Sequence, residues 1–239
     1  MVPDFNQGVA FHHPLAIATA RPDGPACGNL LAPMIESMLS TQSSPKSVTH
    51  LLYLHGFRSS PQSLKARTMA HLVATQQPQV HWWCPQLPPS PSQAMALVRR
   101  GIADWPRQSM AVIGSSLGGF YATWVAQQTG CRAVLLNPAV DPARDLAQYI
   151  GEQTSWHAPQ QRFFFQPEFV DELRALHCPG ALRPDHYLAI IAKGDEVLDW
   201  REMQARYSGA RVKLLEGGDH ALSDFDDHLK DIAGFLGLA

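Results

Sequence analysis

Three features of the chain predict an α/β fold with a mostly parallel sheet of about six strands between helical layers. Short unbroken apolar runs recur, of the kind that parallel strands buried on both faces require. Helical segments with caps or an apolar face lie between them. Strict alternation of the two implies right-handed crossovers and a layered sheet.

Leu51-Leu52-Tyr53-Leu54 is the first such run, closed by His55-Gly56. Ser60-Pro61 reads as an N-cap with proline at the first helical position, opening a helix to about Gln76. Val80 to Cys84 is the second strand. Ser90-Pro91 repeats the cap signal before a helix to about Trp105, and Met110 to Ile113 is the third strand. Leu117, Phe120, Tyr121, Trp124 and Val125 then mark one apolar face of a helix. Ala133 to Leu136 is the fourth strand. The fifth, Tyr187 to Ala192, arrives only after a long segment at about 138–186 with no uninterrupted strand, which reads as a cap insertion. Val212 to Leu215 and a helix capped by Ser223 close the chain.

A length of 239 residues with 45% apolar content supports one sizeable core and not two full domains. The expected domain covers 48–239. Residues 1–47 carry prolines at 3, 14, 22, 25, 33 and 45 and a linker-like Ser40 to Pro45, which predicts an irregular or weakly packed extension. A short helix around Leu30 to Leu39 is its one periodic segment. The extension reads as a docking arm, a tail or translated upstream sequence, since Met34 and Met38 are alternative starts.

Acids outnumber bases 21 to 19, so no basic excess exists to neutralise phosphates and a nucleic-acid partner is not expected. No apolar run approaches the ~20 residues of a membrane span. The first basic residue is Arg21, so the start lacks a secretory n-region. Cys27, Cys84, Cys131 and Cys178 are scattered without a CxxC pair, the pattern of reduced thiols in a cytoplasmic protein. No HExxH, G-x-G-x-x-G or phosphate-loop motif occurs, so neither metal nor cofactor is expected, and His12-His13 stays unassigned.

Gly114-Ser115-Ser116-Leu117-Gly118 matches G-x-S-x-G. With 17 glycines in 239 residues, chance alone would supply ~0.08 matches, so the match by itself is weak. Its place gives it weight, because it joins a buried strand to an amphipathic helix. A nucleophile held on that sharp turn crowds the backbone two residues to either side, where a Cβ would clash. Ser116 is therefore the candidate nucleophile. Leu117 N–H, at the helix start, is one candidate oxyanion donor, and Phe57 N–H in the loop after the first strand is the other. His55 reads as a loop-organising histidine and not as the base.

A serine needs a base, and the base needs an orienting carboxylate, in the chain order Ser, acid, His. Of the histidines after Ser116, only His220 lies in the loop leaving the last strand. Asp195 lies directly past the preceding strand. Asp199 with Glu202 reads as a capping box, Asp219 would diverge from its neighbour His220, and Glu196 would point another way.

Together, Tyr53 to Pro61, Pro85 to Pro89, Gly114 to Gly119, Asn137 to Val140, Gly194 to Asp199 and Glu216 to His220 resemble the YqiA-like bacterial esterases of the α/β-hydrolase superfamily. The resemblance covers about 48 to 238. It implies an α/β-hydrolase fold and a cytosolic serine esterase without cofactor, acting on small-molecule carboxyl esters or acyl-CoA thioesters. It also implies that Ser116, Asp195 and His220 form the triad. Residues 1–47 have no counterpart in that pattern, and Arg58 stands where a small polar residue is expected.

Small to medium acyl groups are the expected substrates. An acyltransferase with the same triad and a non-catalytic hydrolase-fold binding protein remain alternatives. Phe163 to Phe165 either line an acyl site or pack the insertion onto the sheet. Arg58 either meets an anionic substrate group or is a solvated loop residue. Removing residues 1–46 is expected to cost under roughly 1 kcal/mol, read from the melting temperature of the truncated chain.

Overall fold

The computed structural model describes residues 47–179 and 183–238. The expectations for residues 1–46, including the helix around Leu30 to Leu39, lie outside them, as do His12, His13 and Cys27.

The strand runs do what their apolar content requires. β1 (His50–Leu54), α1 (Leu64–Gln76), β2 (His81–Trp83), α2 (Pro91–Gly101), β3 (Met110–Ser115), α3 (Leu117–Thr129) and β4 (Arg132–Leu136) alternate without exception. The insertion follows, with α4 (Pro142–Leu146), β5 (Gly151–Thr154), β6 (Arg162–Phe165) and α5 (Pro167–Ala175). β7 (Tyr187–Ala192), α6 (Trp200–Arg206), β8 (Arg211–Leu215) and α7 (Leu229–Leu236) complete the order. The six core strands lie in the order β2-β1-β3-β4-β7-β8, and every neighbouring pair is parallel. The chain leaves β1 for β2 on one side and returns to β3 on the other. Their carboxyl ends, Leu54 beside Gly114, therefore flank the crevice where ligands collect in such sheets.

Alternation along each strand sorts the core into two layers. Leu52, Leu54, Val112, Leu135, Ala189 and Ile191 face α2, α3 and α5. Leu51, Tyr53, Ile113, Val134, Leu188 and Ile190 face α1 and α7.

Several local expectations change. Ser60-Pro61 makes a turn, with Ser63 N–H donating to Ser60 O at 3.1 Å and Gln62 N–H to Ser60 Oγ, so α1 starts at Leu64. Ser90 does cap its helix, accepting Gln93 N–H at 3.2 Å. That helix ends at Gly101, short of Trp105, and the Trp83 indole lies where a side chain at 101 would be. α3 is buried nearly all round, because Gly118, Gly119, Ala122 and Thr123 are covered as well as the large residues. Ser223 does not cap the last helix. It hydrogen-bonds back to Asp219, and a 3-10 turn at Phe225–His228 leads into α7. The insertion contains the antiparallel β5–β6 ladder, which the polar Gly-Glu-Gln-Thr of β5 conceals from an apolar-run search.

The elbow needs glycine where it was expected. A Cβ on Gly114 would lie 2.0 Å from the Gly118 carbonyl oxygen, and one on Gly118 would lie 2.0 Å from that of Leu54. Gly118→Ala should therefore destabilise the fold by about 3 kcal/mol, because backbone must move to admit one methyl group. Urea unfolding of the variant beside the parent measures it.

Candidate active site

Ser116 sits between β3 and α3 with φ 56° and ψ −121°. A non-glycine residue in that region is strained and holds only because its surroundings fix it. Its N–H donates to Leu136 O at 3.0 Å, and its carbonyl accepts Ala139 N–H at 3.0 Å. The side chain is half-buried at the sheet's carboxyl edge.

His220 Nε2 stands 3.0 Å from Ser116 Oγ, and His220 Nδ1 stands 2.8 Å from Asp195 Oδ2. An ionised carboxylate only accepts hydrogen bonds, so the proton sits on Nδ1 and the Nε2 lone pair faces the serine. The Asp195 side chain is fully buried, and its Oδ1 accepts the N–H groups of Val197 and Leu198 at 2.8 Å each. Those bonds aim the carboxylate at the imidazole. The loops carrying the acid and the histidine touch directly: Gly194 N–H donates to Gly217 O at 3.3 Å. A Cβ on Gly194 would lie 2.2 Å from Gly218 O, so only glycine permits that approach.

The competing carboxylates are engaged elsewhere. Asp219 accepts both the N–H and the hydroxyl of Ser223. Asp199 caps α6 by accepting Arg201 N–H, but Glu202 pairs with Arg144 at 2.7 Å, so the box closes on one side only. Glu196 does not point away from the site, since its Oε2 accepts the backbone N–H of His220 at 3.0 Å.

Phe57 and Leu117 both flank Ser116 in one cleft of about 720 Å³. Leu117 opens α3, so its N–H belongs to the first-turn donors that no carbonyl of the same helix reaches. Leu146, Tyr149, Trp156 and Leu198 supply further apolar wall, and Leu64, Trp156 and Val197 stand exposed at the rim.

His55 is a loop tie. It is buried, its Nδ1 hydrogen-bonds Gly56 O at 3.0 Å, and its Nε2 accepts Leu87 N–H at 3.1 Å. Burial pushes its pKa down to about 4, which keeps it neutral. Arg58 is not a solvated loop residue: it borders the cleft and is engaged by the protein itself. Its Nε donates to Thr154 O at 2.8 Å, Nη2 donates to Thr154 Oγ1, and the guanidinium lies 4.2 Å from the Trp156 ring centre. Trp156 N–H returns a bond to Arg58 O at 2.8 Å. The arginine thus ties the loop after β1 to the β5–β6 hairpin. Phe163 and Phe165 pack against the Phe57 ring, with centroids 6.0 and 5.2 Å away, and Phe164 is exposed. None of the three lines the cleft, which favours the packing role.

Lys65 carries no motif that would mark it in the sequence. It lines the cleft, and its Nζ donates to Ala221 O beside the histidine. Desolvation pushes its pKa down to about 8. Its position in the first turn of a helix was the only signal available. Among the described residues, no three His, Cys, Asp or Glu side chains gather as metal ligands. No helix among them is long and apolar enough to cross a membrane.

The model of an uncharacterised protein family, UPF0227, matches residues 50–237. The chain belongs to that family. This is the YqiA-like group that the sequence motifs resemble. Among solved structures, a putative hydrolase from Agrobacterium vitis is similar with a TM-score of 0.64 and 18% identity, over 80% of this chain and 91% of that one. A structure from the metagenome-derived lipolytic enzymes LipS and LipT matches at 0.58 and 19%, over 81% and 96%. A Pyrococcus furiosus esterase, Pf2001, matches at 0.54 and 18%, over 80% and 81%. At such identities the likeness speaks for the fold, and this UPF0227 member has the α/β-hydrolase fold.

His55 makes the stability of this UPF0227 member sensitive to acid. The unfolded imidazole takes up a proton near pH 6.5, and the folded one only near 4. Its contribution is fully present above pH 6.5 and is lost as pH falls towards 4, a total of about 3 kcal/mol. Urea melts from pH 7 to 4.5 should show that slope, and His55→Gln should flatten it.

Proposed function

We propose that the protein is a serine carboxylesterase that hydrolyses small to medium acyl esters or acyl-CoA thioesters through an acyl-enzyme on Ser116. The observation that carries the reading is the unbroken line from the buried Asp195 carboxylate through His220 to the Ser116 hydroxyl, with steps of 2.8 and 3.0 Å. That line ends in a cleft within the ~300–1,000 Å³ range of small-molecule sites. Neighbours of the same fold named as esterases and lipolytic enzymes lend support.

Each group has a distinct task. Ser116 Oγ attacks the ester carbonyl as His220 Nε2 takes its proton. The carbonyl oxygen becomes an oxyanion, for which the N–H groups of Phe57 and Leu117 are the assigned donors. His220 then hands the proton to the departing alcohol or thiol. Water enters, gives a proton to the same nitrogen and attacks the acyl carbon; His220 then returns that proton to Ser116 Oγ as the acyl–oxygen bond breaks, releasing the acid and restoring the serine. Asp195 holds the imidazole tautomer and offsets its transient positive charge. Phe57, Leu117, Leu146, Tyr149 and Leu198 suit an apolar acyl group. We also assign residues 48–239 as the catalytic unit. The unpaired thiols Cys84, Cys131 and Cys178 fit a reducing, cytoplasmic setting.

Fluorophosphonate labelling and hydrolysis of p-nitrophenyl esters of graded chain length test the proposal. Ser116→Ala should abolish both, and His220→Ala should abolish turnover. Asp195→Asn should fold normally and turn over ~10⁴-fold more slowly. Labelling without hydrolysis would favour acyl transfer to another acceptor. A wild-type protein that takes no label would make a binding role the better reading.

A further inference from the structure

We infer that Asn137 is a positioning residue that sets the register of serine, acid and base through one side-chain amide and its flanking backbone. The inference rests on the reading of Ser116, Asp195 and His220 as a catalytic triad.

Asn137 follows β4 directly, is wholly buried and has φ 42°. Asparagine is one of the few non-glycine residues that accepts such a backbone. Its N–H donates to Ile190 O at 3.0 Å, which joins it to the end of β7. The side-chain oxygen accepts Ala192 N–H at 2.8 Å, three residues before Asp195. The side-chain nitrogen donates to Asp219 O at 2.9 Å and to His220 O at 3.3 Å. One planar amide thus spans the strand end that launches the acid loop and the backbone of the base itself.

The residues on either side complete the connection to the nucleophile. Leu136 O accepts Ser116 N–H, and Ala139 N–H donates to Ser116 O, each at 3.0 Å. Three residues of one short segment, Leu136, Asn137 and Ala139, therefore hold the backbone of the serine, the root of the acid loop and the backbone of the histidine. A buried amide with its donors and acceptor all engaged is a stiff joint, since losing any of those bonds leaves a buried group unsatisfied. The backbone from Asp219 to Ala221 is also held by Glu196 on His220 N–H and Lys65 on Ala221 O, and locally by Leu222 N–H on Asp219 O. Aspartate could not replace Asn137, because it would present an acceptor to two carbonyl oxygens.

Asn137→Gly is the cleanest probe, because glycine keeps the left-handed backbone and removes only the amide. With p-nitrophenyl acetate, kcat should fall by about 10²-fold, the cost of misplacing reacting groups by about 1 Å. KM should stay within about twofold, since Asn137 does not line the cleft, and fluorophosphonate labelling should slow in step with kcat. Thr123→Val is the stability control. It removes a buried 2.9 Å bond to the Tyr207 hydroxyl that reaches none of Ser116, Asp195 or His220, and should lower the melting temperature without slowing labelling. If the glycine variant does not fold, Asn137→Ser gives the same readout, because its shorter neutral side chain cannot span Ala192 N–H and the Asp219 and His220 carbonyls at once. Labelling of the folded variant at the wild-type rate would overturn the inference, as would losses that merely track melting temperature as in Thr123→Val. Absence of labelling in the wild type would instead overturn the hydrolase reading beneath it, a distinguishable result.

Discussion

The strained backbone of Ser116 is the constraint around which the rest of the structure is arranged. A serine at φ 56° and ψ −121° would relax if its neighbours allowed it. They do not, because β3 is buried along its whole length and α3 begins at the next residue. Gly114 and Gly118 bring the elbow against itself and against β1 with no room for a methyl group. The rigidity of the parallel sheet is thereby converted into a fixed direction for one hydroxyl. Burial of the strands on both faces is what makes the sheet stiff enough to hold that strain.

His220 and Asp195 are held differently. Neither sits on an element of its own, and both occupy loops past the ends of neighbouring strands. Their precision comes from short-range backbone contact between glycines and from side chains that take up loop N–H and C=O groups. Asp195 shows the principle compactly. One oxygen is committed to two backbone amides, which leaves the other aimed at the imidazole. Loops fixed in this way behave as extensions of the sheet.

The chain reveals most of its sheet, because β1, β3, β4 and β7 carry the short apolar runs that parallel burial demands, while the edge strand β8, Arg-Val-Lys-Leu-Leu, is mixed and half-exposed. Ser116, Asp195 and His220 could be singled out because each follows a strand, and the fold brings the three side chains together. What stays hidden in the sequence has a common physical origin. The partner of Arg58 is a threonine 96 residues downstream, in a strand with no apolar signature. Asn137, Lys65 and Glu196 act on the backbone of a distant loop, and backbone is invisible to a reading based on side-chain type. Ser60-Pro61 and Ser90-Pro91 look alike as dipeptides, yet only the Ser90 side chain accepts the N–H three residues on, whereas that of Ser60 takes the N–H two residues on. The all-round burial of α3 escaped notice because periodicity registers large residues, whereas glycine and alanine let other elements come close.

The bonds between Arg58 and the hairpin have a further consequence. Phe57 and Arg58 are consecutive, and between them they grip Tyr149, Thr154, Trp156, Phe163 and Phe165 of the insertion. The insertion and the segment after β1 are therefore packed and hydrogen-bonded to each other at both polar and aromatic contacts. Grafting a different hairpin onto this scaffold would reshape the wall of the cleft and, through the ring of Phe57, the segment that borders Ser116 as well.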